Sequence, residues 1–507
     1  MRRRRATQAP PAAPATPVTP AVSLAGLARS ETLRWGLTLG LFLIIFSQAV
    51  IERRDYFAVM AAGLLPDRPA RFGGDAEGYY RIAMTEPLPC FNTSREPLLP
   101  ALGRLCILAF GSPSAPLSEP GASAAAAATA AGSPAAAADP ELENQLLLRR
   151  LSISFSLLGM LAFTACALML CGRTVALLSA LLWAFSGWDM HYAVAFLRTN
   201  LAIALHLLCI VAFVVLLRRA GRPLRSRLVP AAAAAVLLAL TIYLDVSLLT
   251  VAVLLLGVHQ AVLLLCRRWS RRELALGAGI GALTLLLASP YLVYNIREAG
   301  EPFPMMDHHA WWWACHEFAG QPGFPTRAQL VAGDYGEDGT TVAGYIFGMH
   351  SLPEVVGRYA RGYLYALGFD VPRRSVFIAM RRVHSFPWIM VLLPLGMVLL
   401  CWRSPEGLWA TLASLVTFLP YAFIITLDTV ITVEPPRHPI GVEARFVIGL
   451  LPIAFLSCAV ALAGLLRLLG DPRDTLRRLR QLAARRFLPP WCRWAKAAPS
   501  ASREVGT

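Results

Sequence analysis

The sequence predicts an all-α membrane protein: about ten transmembrane helices with extracytoplasmic loops and interfacial helices. Three observations predict it. Of the 507 residues, 56% are hydrophobic and only 15% charged, and the mean hydropathy is +0.54, a balance foreign to ordinary soluble domains. The apolar residues gather in stretches approaching the roughly 20 residues that a bilayer crossing needs, starting near Leu33, Leu146, Thr174, Asn200, Leu228, Val246, Glu273, Phe386, Gly407 and Arg445. Finally, 46 of the 47 basic residues are arginine, clustered in alternate short connections, as expected where retained positive charge fixes orientation.

Taken in order, residues 1–32 form a Pro/Ala-rich leader with arginines at 2–5, expected to be disordered and cytoplasmic. The first span, 33–50, has no small-residue cleavage site close after it and reads as a retained anchor. The polytopic domain runs over 33–467, with two long outward segments, 51–144 and 295–385. Within the first, 97–110 is apolar but too short to cross and carries Pro100, Gly103 and Arg104, which suits a helix lying in the interface. The Ala/Pro/Gly/Ser-rich stretch 112–140 is a low-complexity insertion without chemistry of its own. The basic tail, 468–507, interleaves Arg477, Arg478, Arg480, Arg485 and Arg486 with Leu476, Leu479, Leu482 and Phe487, a pattern that fits either an amphipathic helix on anionic lipid or a solvated helix.

The arginines at 2–5, 218–227, 267–272 and in the tail fall on one side of a ten-span chain, so both termini are expected in the cytoplasm, in a bacterial inner membrane. The net charge of +16 then follows from topology and anionic lipid, and no nucleic acid partner is expected. Ten cysteines are scattered without a CxxC. Most sit in spans as small packing residues, while Cys90, Cys106 and Cys315 fall outside and permit one disulfide.

The chemistry starts at Asp75, in the run Gly73-Gly74-Asp75-Ala76-Glu77-Gly78-Tyr79-Tyr80-Arg81-Ile82-Ala83 just beyond the first span. If a helix begins at Asp75, Tyr79, Ile82 and Ala83 share its face, and a carboxylate beside an aromatic meets the membrane surface. Asp75 is therefore a candidate base, with Glu77 as the competing carboxylate; capping the helix is the plainer role for Asp75. Arg95, Arg198, Arg297, Arg437 and Arg445 fall at outward span ends or in outward loops, where arginine's fork suits phosphate; headgroup anchoring and loop salt bridges are the alternatives. Asp245 interrupts 228–266 at an outward hairpin, as a functional acid or simply a turn residue. His206 and His259, alone in spans, suit interhelical hydrogen bonds better than metal. The cluster Asp307-His308-His309 with Trp311, Trp312, Trp313, Cys315, His316 and Glu317 has zinc-ligand residue types without a zinc spacing; an aromatic shelf for a sugar ring or the interface fits better. Asn92-Thr93-Ser94 matches a glycosylation acceptor and carries little weight if, as expected, the chain is bacterial.

In order and sidedness, four motifs resemble the C-type glycosyltransferase superfamily, in particular protein O-mannosyltransferases and aminoarabinose transferases. They are the run from Asp75 to Ala83; Arg95-Glu96-Pro97-Leu98-Leu99-Pro100; Ser289-Pro290-Tyr291-Leu292-Val293-Tyr294-Asn295 with Gly300; and Arg445-Phe446 with Pro452. The resemblance spans nearly the whole chain, though each motif alone is short. It departs from the family at Ala76, where relatives often carry a second acid, at Tyr294-Asn295 in place of Arg-Asn, and at Arg198-Thr199-Asn200 where an acid is common. The resemblance implies transfer of a sugar from a polyprenyl-phosphate donor to an extracytoplasmic glycan, lipid or protein acceptor, with inversion. Asp75 would be the base, and Tyr79, Arg95, Arg198, Asp245, Asn295, Arg297 and Arg445 the substrate-binding set. No cofactor is assigned, and a divalent metal is left open. A lipid or solute transporter, and a catalytically silent receptor or assembly factor on the same fold, are the competing classes; the absence of an internal repeat counts against the transporter.

Overall fold

The computed structural model describes residues 24–63, 71–112, 139–245, 247–337, 339–366, 391–430, 432–434, 438–439 and 448–470. The predicted tail helix, the bulk of the leader and of the insertion, and Arg437 and Arg445 lie outside them. Among the described residues the fold is all-α apart from one two-residue antiparallel pair, β1 (Asp428–Thr429) with β2 (His438–Pro439). The helices are α1 (Leu24–Ala61), α2 (Asp75–Thr85), α3 (Leu98–Phe110), α4 (Pro140–Cys171), α5 (Arg173–Ala184), α6 (Gly187–Ala193), α7 (Arg198–Arg218), α8 (Arg225–Leu244) and α9 (Leu248–Leu265). They continue with α10 (Arg271–Ala299), α11 (Pro304–Glu317), α12 (Arg327–Val331), α13 (Leu352–Ala366), α14 (Leu393–Arg403), α15 (Pro405–Ala422) and α16 (Leu451–Gly470).

Seven of these are long and apolar enough to cross a membrane: α1, α4, α7, α8, α9, α10 and α16. The other three predicted spans correspond to α5, α14 and the 18-residue α15. The apolar α5 has 12 residues, about 18 Å of helix, short of the roughly 30 Å hydrocarbon thickness. Its chain breaks at Phe185 and Ser186, whose hydroxyl caps α6 by accepting from Asp189 N. The predicted span near Phe386 is represented by the 11-residue α14, which Ser404 separates from α15 by capping the latter's start. α1 begins at Leu24, inside the stretch expected to be disordered. The predicted interfacial helix appears as α3, with Leu105, Leu108 and Phe110 exposed.

Helix ends follow local chemistry. Asp139 caps α4, accepting from Glu141 N and Leu142 N, and Pro140 occupies the first turn, where its missing N–H costs nothing. α10 stops at Gly300, whose φ of 79° lies in the left-handed region that glycine enters freely. Within the bundle the core is built on Phe163, Trp183, Phe213, Trp409 and Phe455; Phe213 stacks on Trp409 with ring centroids 5.1 Å apart. A second core, of Trp311, Cys315, Leu330, Tyr345 and Phe423, belongs to the segment after α10.

Arginine marks both ends of the bundle. At one end Arg173 pairs with Glu31 (2.7 Å), Arg218 with Glu406 (3.6 Å), and Arg227 is buried against Glu273. At the other, Arg53 is wholly buried against Asp189 and donates to Ser156 Oγ (2.8 Å), tying α1, α4 and α6 together. Arg149 donates to Val194 O (2.9 Å) at the same end. That second end also carries α2, α3 and the second core. No disulfide joins the nine described cysteines.

Candidate functional site

A cavity of about 1280 Å³ opens between α2, α7, α8, α9, α11 and α15, larger than the roughly 300–1,000 Å³ of a drug-sized site. Its polar level is built from Asp75, Arg95, Glu96, Arg198 and Asp245.

Asp75 is the first residue of α2, as the sequence predicts, but Gly74 takes the cap position with φ 58°. The carboxylate is left for the cavity: Asp75 Oδ1 accepts from Arg95 Nη2 at 2.8 Å, both side chains about a third exposed or less. The Arg95 guanidinium also stands 5.5 Å from the Tyr79 ring centroid, in cation–π range. The guanidinium packs close over α2 at Gly78, where a Cβ would lie 3.4 Å from Arg95 Nε, in ordinary van der Waals contact. Asn92 holds the loop, its Oδ1 accepting from Arg95 N at 2.7 Å.

Arg198 opens α7 and bridges two acids, Glu96 at 2.7 Å and Asp245 at 3.3 Å, whose carboxylates are almost fully buried. Asp245 sits at the turn between α8 and α9 and also accepts from Tyr421 Oη (2.6 Å) and Ser247 Oγ (2.6 Å). Burial pushes the Asp245 carboxyl up, but Arg198 and these hydrogen bonds outweigh it and hold the group below the usual carboxylate range. For Glu96 burial wins, and its carboxyl is raised. Burial likewise pushes the Tyr79 phenol up. Removing Arg198 would leave two buried carboxylates uncompensated, a loss of about 3–5 kcal/mol in comparable cases.

Above this level α11 turns His308, His309, Trp312 and Trp313 toward the cavity, the two indoles also resting against the second core into which Ala310, Trp311, Ala314 and Cys315 pack. The split follows from helix periodicity, since residues three and four apart share a face. Burial lowers His309 to about 4, with Arg198 adding to the effect, so its imidazole is neutral at pH 7. Below, the cavity follows α7 past Ile203 and His206 to Cys209, eleven residues or about 16 Å beyond Arg198 at 1.5 Å per residue. The wall at that depth is largely apolar, with Leu238, Leu248, Val251, Leu255 and Phe418. His206 Nδ1 meets Thr417 Oγ1 at 3.0 Å, an interhelical hydrogen bond of the expected kind.

Of the residues singled out in the sequence, Asp75, Tyr79, Arg95, Arg198 and Asp245 meet at this cavity. Glu77 instead pairs with Arg81 at 3.5 Å and is not among the lining residues. Asn295 Nδ2 donates to Pro302 O at 3.1 Å and secures the chain after α10. Arg297, on the last turn of α10, is exposed and off the cavity wall. Arg445 lies outside the described residues. Glu96 and Tyr421 went unassigned in the sequence; the available signal was an acid between Arg95 and the apolar 97–110 stretch, which burial obliges to find a cation.

The carboxylates do not form a metal centre of the usual kind. Among the described residues no three His, Cys, Asp or Glu side chains converge as ligands, and Asp75, Glu96 and Asp245 each already face a guanidinium.

No family model matches the chain, and no curated protein matches it. Among the solved structures that are similar to it are two from Archaeoglobus fulgidus. One is archaeal oligosaccharyltransferase AglB from Archaeoglobus fulgidus in complex with an inhibitory peptide and a dolichol-phosphate, at 13% identity and a TM-score of 0.44 over 91% of this chain and 53% of that one. The other is the Archaeoglobus fulgidus oligosaccharyltransferase complex with zinc and sulfate, at 14% identity and a TM-score of 0.47 over 89% and 52%. The chain thus spans about half the length of these structures.

Proposed function

We propose that the protein is a membrane glycosyltransferase of the C-type superfamily, moving a sugar from a polyprenyl-phosphate donor to an acceptor outside the cytoplasm. The observation that carries this reading is the order of chemistry along one cavity: a largely apolar stretch beside α7, then a charged level at Asp75, Arg95 and Arg198, then the ring-bearing face of α11. A ligand matching that order has a hydrocarbon chain, then a phosphate, then a polar group. The end that carries Arg173, Arg218 and Arg227 faces the cytoplasm in this proposal, in accord with the positive-inside rule.

Asp75, beside Arg95 in the charged level, takes the proton from the acceptor hydroxyl, whose oxygen attacks the anomeric carbon. The bond from that carbon to the carrier phosphate oxygen breaks with inversion, and the departing phosphate is held by arginine. Arg95 and Arg198 supply positive charge from the described residues, and Arg445 is assigned to the same task on its family motif. Fixed cations where negative charge develops lower the barrier without reorganisation, and arginine stays charged throughout. Tyr79 backs the Arg95 guanidinium. Asp245 and Glu96 hold Arg198 in place and act through it.

The test is transfer of radiolabelled sugar from undecaprenyl-phosphate donors into envelope acceptors by membranes containing the protein. Donor-dependent labelling that needs the protein is expected; its absence with every hexose and pentose donor tried would remove the proposal.

A further inference from the structure

Four ring side chains on α11 stand beyond the charged level without a part in the chemistry above. His308, His309, Trp312 and Trp313 line the cavity on one helix face. The two indoles are ordered rather than loose: His309 stacks on Trp313 (centroids 6.1 Å, 15° between planes), Trp313 contacts Tyr345 (6.0 Å), and Trp312 meets His316 edge-on at 4.2 Å. The back of α11 is anchored by Trp311 Nε1 donating to Tyr335 O at 2.9 Å, and its start by Asp307 accepting from Val342 N at 2.8 Å. A helix braced in this way presents its aromatic face in a fixed position, so little side-chain freedom is lost when a ligand docks.

We propose that Trp312 and Trp313, with His309 beside them, form the subsite for the sugar ring of the lipid-linked donor. This rests on the glycosyltransferase reading. With the hydrocarbon chain beside α7 and the phosphate at Arg95 and Arg198, the next group along the donor reaches the level of α11. A sugar ring there finds indole faces for its C–H surfaces and imidazole and carboxylate groups for its hydroxyls. His309, neutral near pH 7, offers one nitrogen as donor and one as acceptor, which suits a hydroxyl that does both. Headgroup anchoring by the same tryptophans would not need them on a cavity wall facing the charged level.

The experiment separates the two readings by comparing the bare carrier phosphate with three glycosylated forms of it. Purified full-length protein in nanodiscs is titrated with undecaprenyl phosphate and with undecaprenyl-phosphate glucose, mannose and arabinose. The wild type is expected to bind at least one glycosylated lipid more tightly than the bare phosphate. An aromatic contact is worth about 0.5–1.5 kcal/mol, so Trp312→Leu and Trp313→Leu should each cut that preference by about 2- to 12-fold. Binding of undecaprenyl phosphate should be unchanged, which also reports correct folding, and Trp312→Phe should restore most of the preference. No preference in the wild type, or a preference that survives both Leu substitutions, overturns the subsite. Failure of the wild type to bind any of these lipids would strike at the glycosyltransferase reading instead.

Discussion

Asp75→Asn separates catalysis from structure because the two roles predict effects of different size. The side chain keeps its shape, and its amide oxygen can still accept from Arg95 Nη2, now 2.8 Å away. What is lost is the charge of a pair whose side chains are 27% and 32% exposed; pairs this wet are worth about 0.2–1 kcal/mol. Against a folding free energy of about 5–15 kcal/mol, a 1 kcal/mol loss lowers the folded fraction by about 0.1% or less, so a purely structural Asp75 leaves transfer near its original rate. Removing a general base typically costs about 100- to 10,000-fold, equivalent to about 2.7–5.4 kcal/mol in the barrier. The assay is initial-rate transfer from a labelled undecaprenyl-phosphate donor, paired with a thermal melt and with donor binding on the same preparation. The expected outcome is a rate loss in that range with melting temperature and donor affinity nearly unchanged. Glu77→Gln disrupts only the partly exposed pair with Arg81 at 3.5 Å and should leave the rate within a few-fold. Full transfer by Asp75→Asn would refute the base assignment, and a larger loss in Glu77→Gln would move it.

Arg198→Ala should lower stability by about 3–5 kcal/mol through unpaired Glu96 and Asp245, seen as a large drop in melting temperature, whereas the triple change with Glu96→Gln and Asp245→Asn should recover much of the loss without recovering transfer. Arg53→Met should cost a similar amount by leaving Asp189 buried and uncompensated, and adding Asp189→Leu should bring the melt back close to wild type. Arg445→Lys, if that side chain holds carrier phosphate, should slow transfer while yield and melting stay normal, since a point charge lacks the paired donors of the fork; full activity of Arg445→Ala would end that role. His309 has its pKa lowered from 6.5 to about 4, so the folded state binds fewer protons than the unfolded chain in that window. Stability is therefore full above pH 6.5 and is lost as pH falls toward 4, and His309→Gln should flatten the wild-type decline in melting temperature across that interval.

The spans were legible because a bilayer imposes length and apolarity, which single residues report directly. α2 beginning at Asp75 and α3 filling 98–110 followed from a glycine pair and from a run too short to cross. The interruptions were harder to read. α5 looks apolar enough to continue, and only packing reveals that Ser186 turns the chain so that Asp189 meets Arg53. The gathering of Asp75, Arg95, Arg198 and Asp245 was readable only as a shared side of the membrane, since nothing local to any of them names its partner. Glu96, quoted within a motif, was given no role for the same reason: its counter-ion lies 102 positions further along the chain.

The buried pair of Arg53 and Asp189 also bears on how the protein is made. The two residues are separated by 136 positions, and at about 5–20 residues synthesised per second the arginine waits roughly 7–27 s for its partner. During that interval α1 has already emerged, and an unpaired arginine is costly in hydrocarbon, by about 2.5–3.5 kcal/mol at a helix centre. The nascent first helix is therefore favoured to keep Arg53 at the membrane surface until α4 and α6 arrive and capture it. Its apolar stretch is little covered by the rest of the protein even in the finished fold, with 6% of the window buried. The bonds of Arg53 to Ser156 and Asp189 thus tie a helix that otherwise remains largely uncovered to α4 and α6.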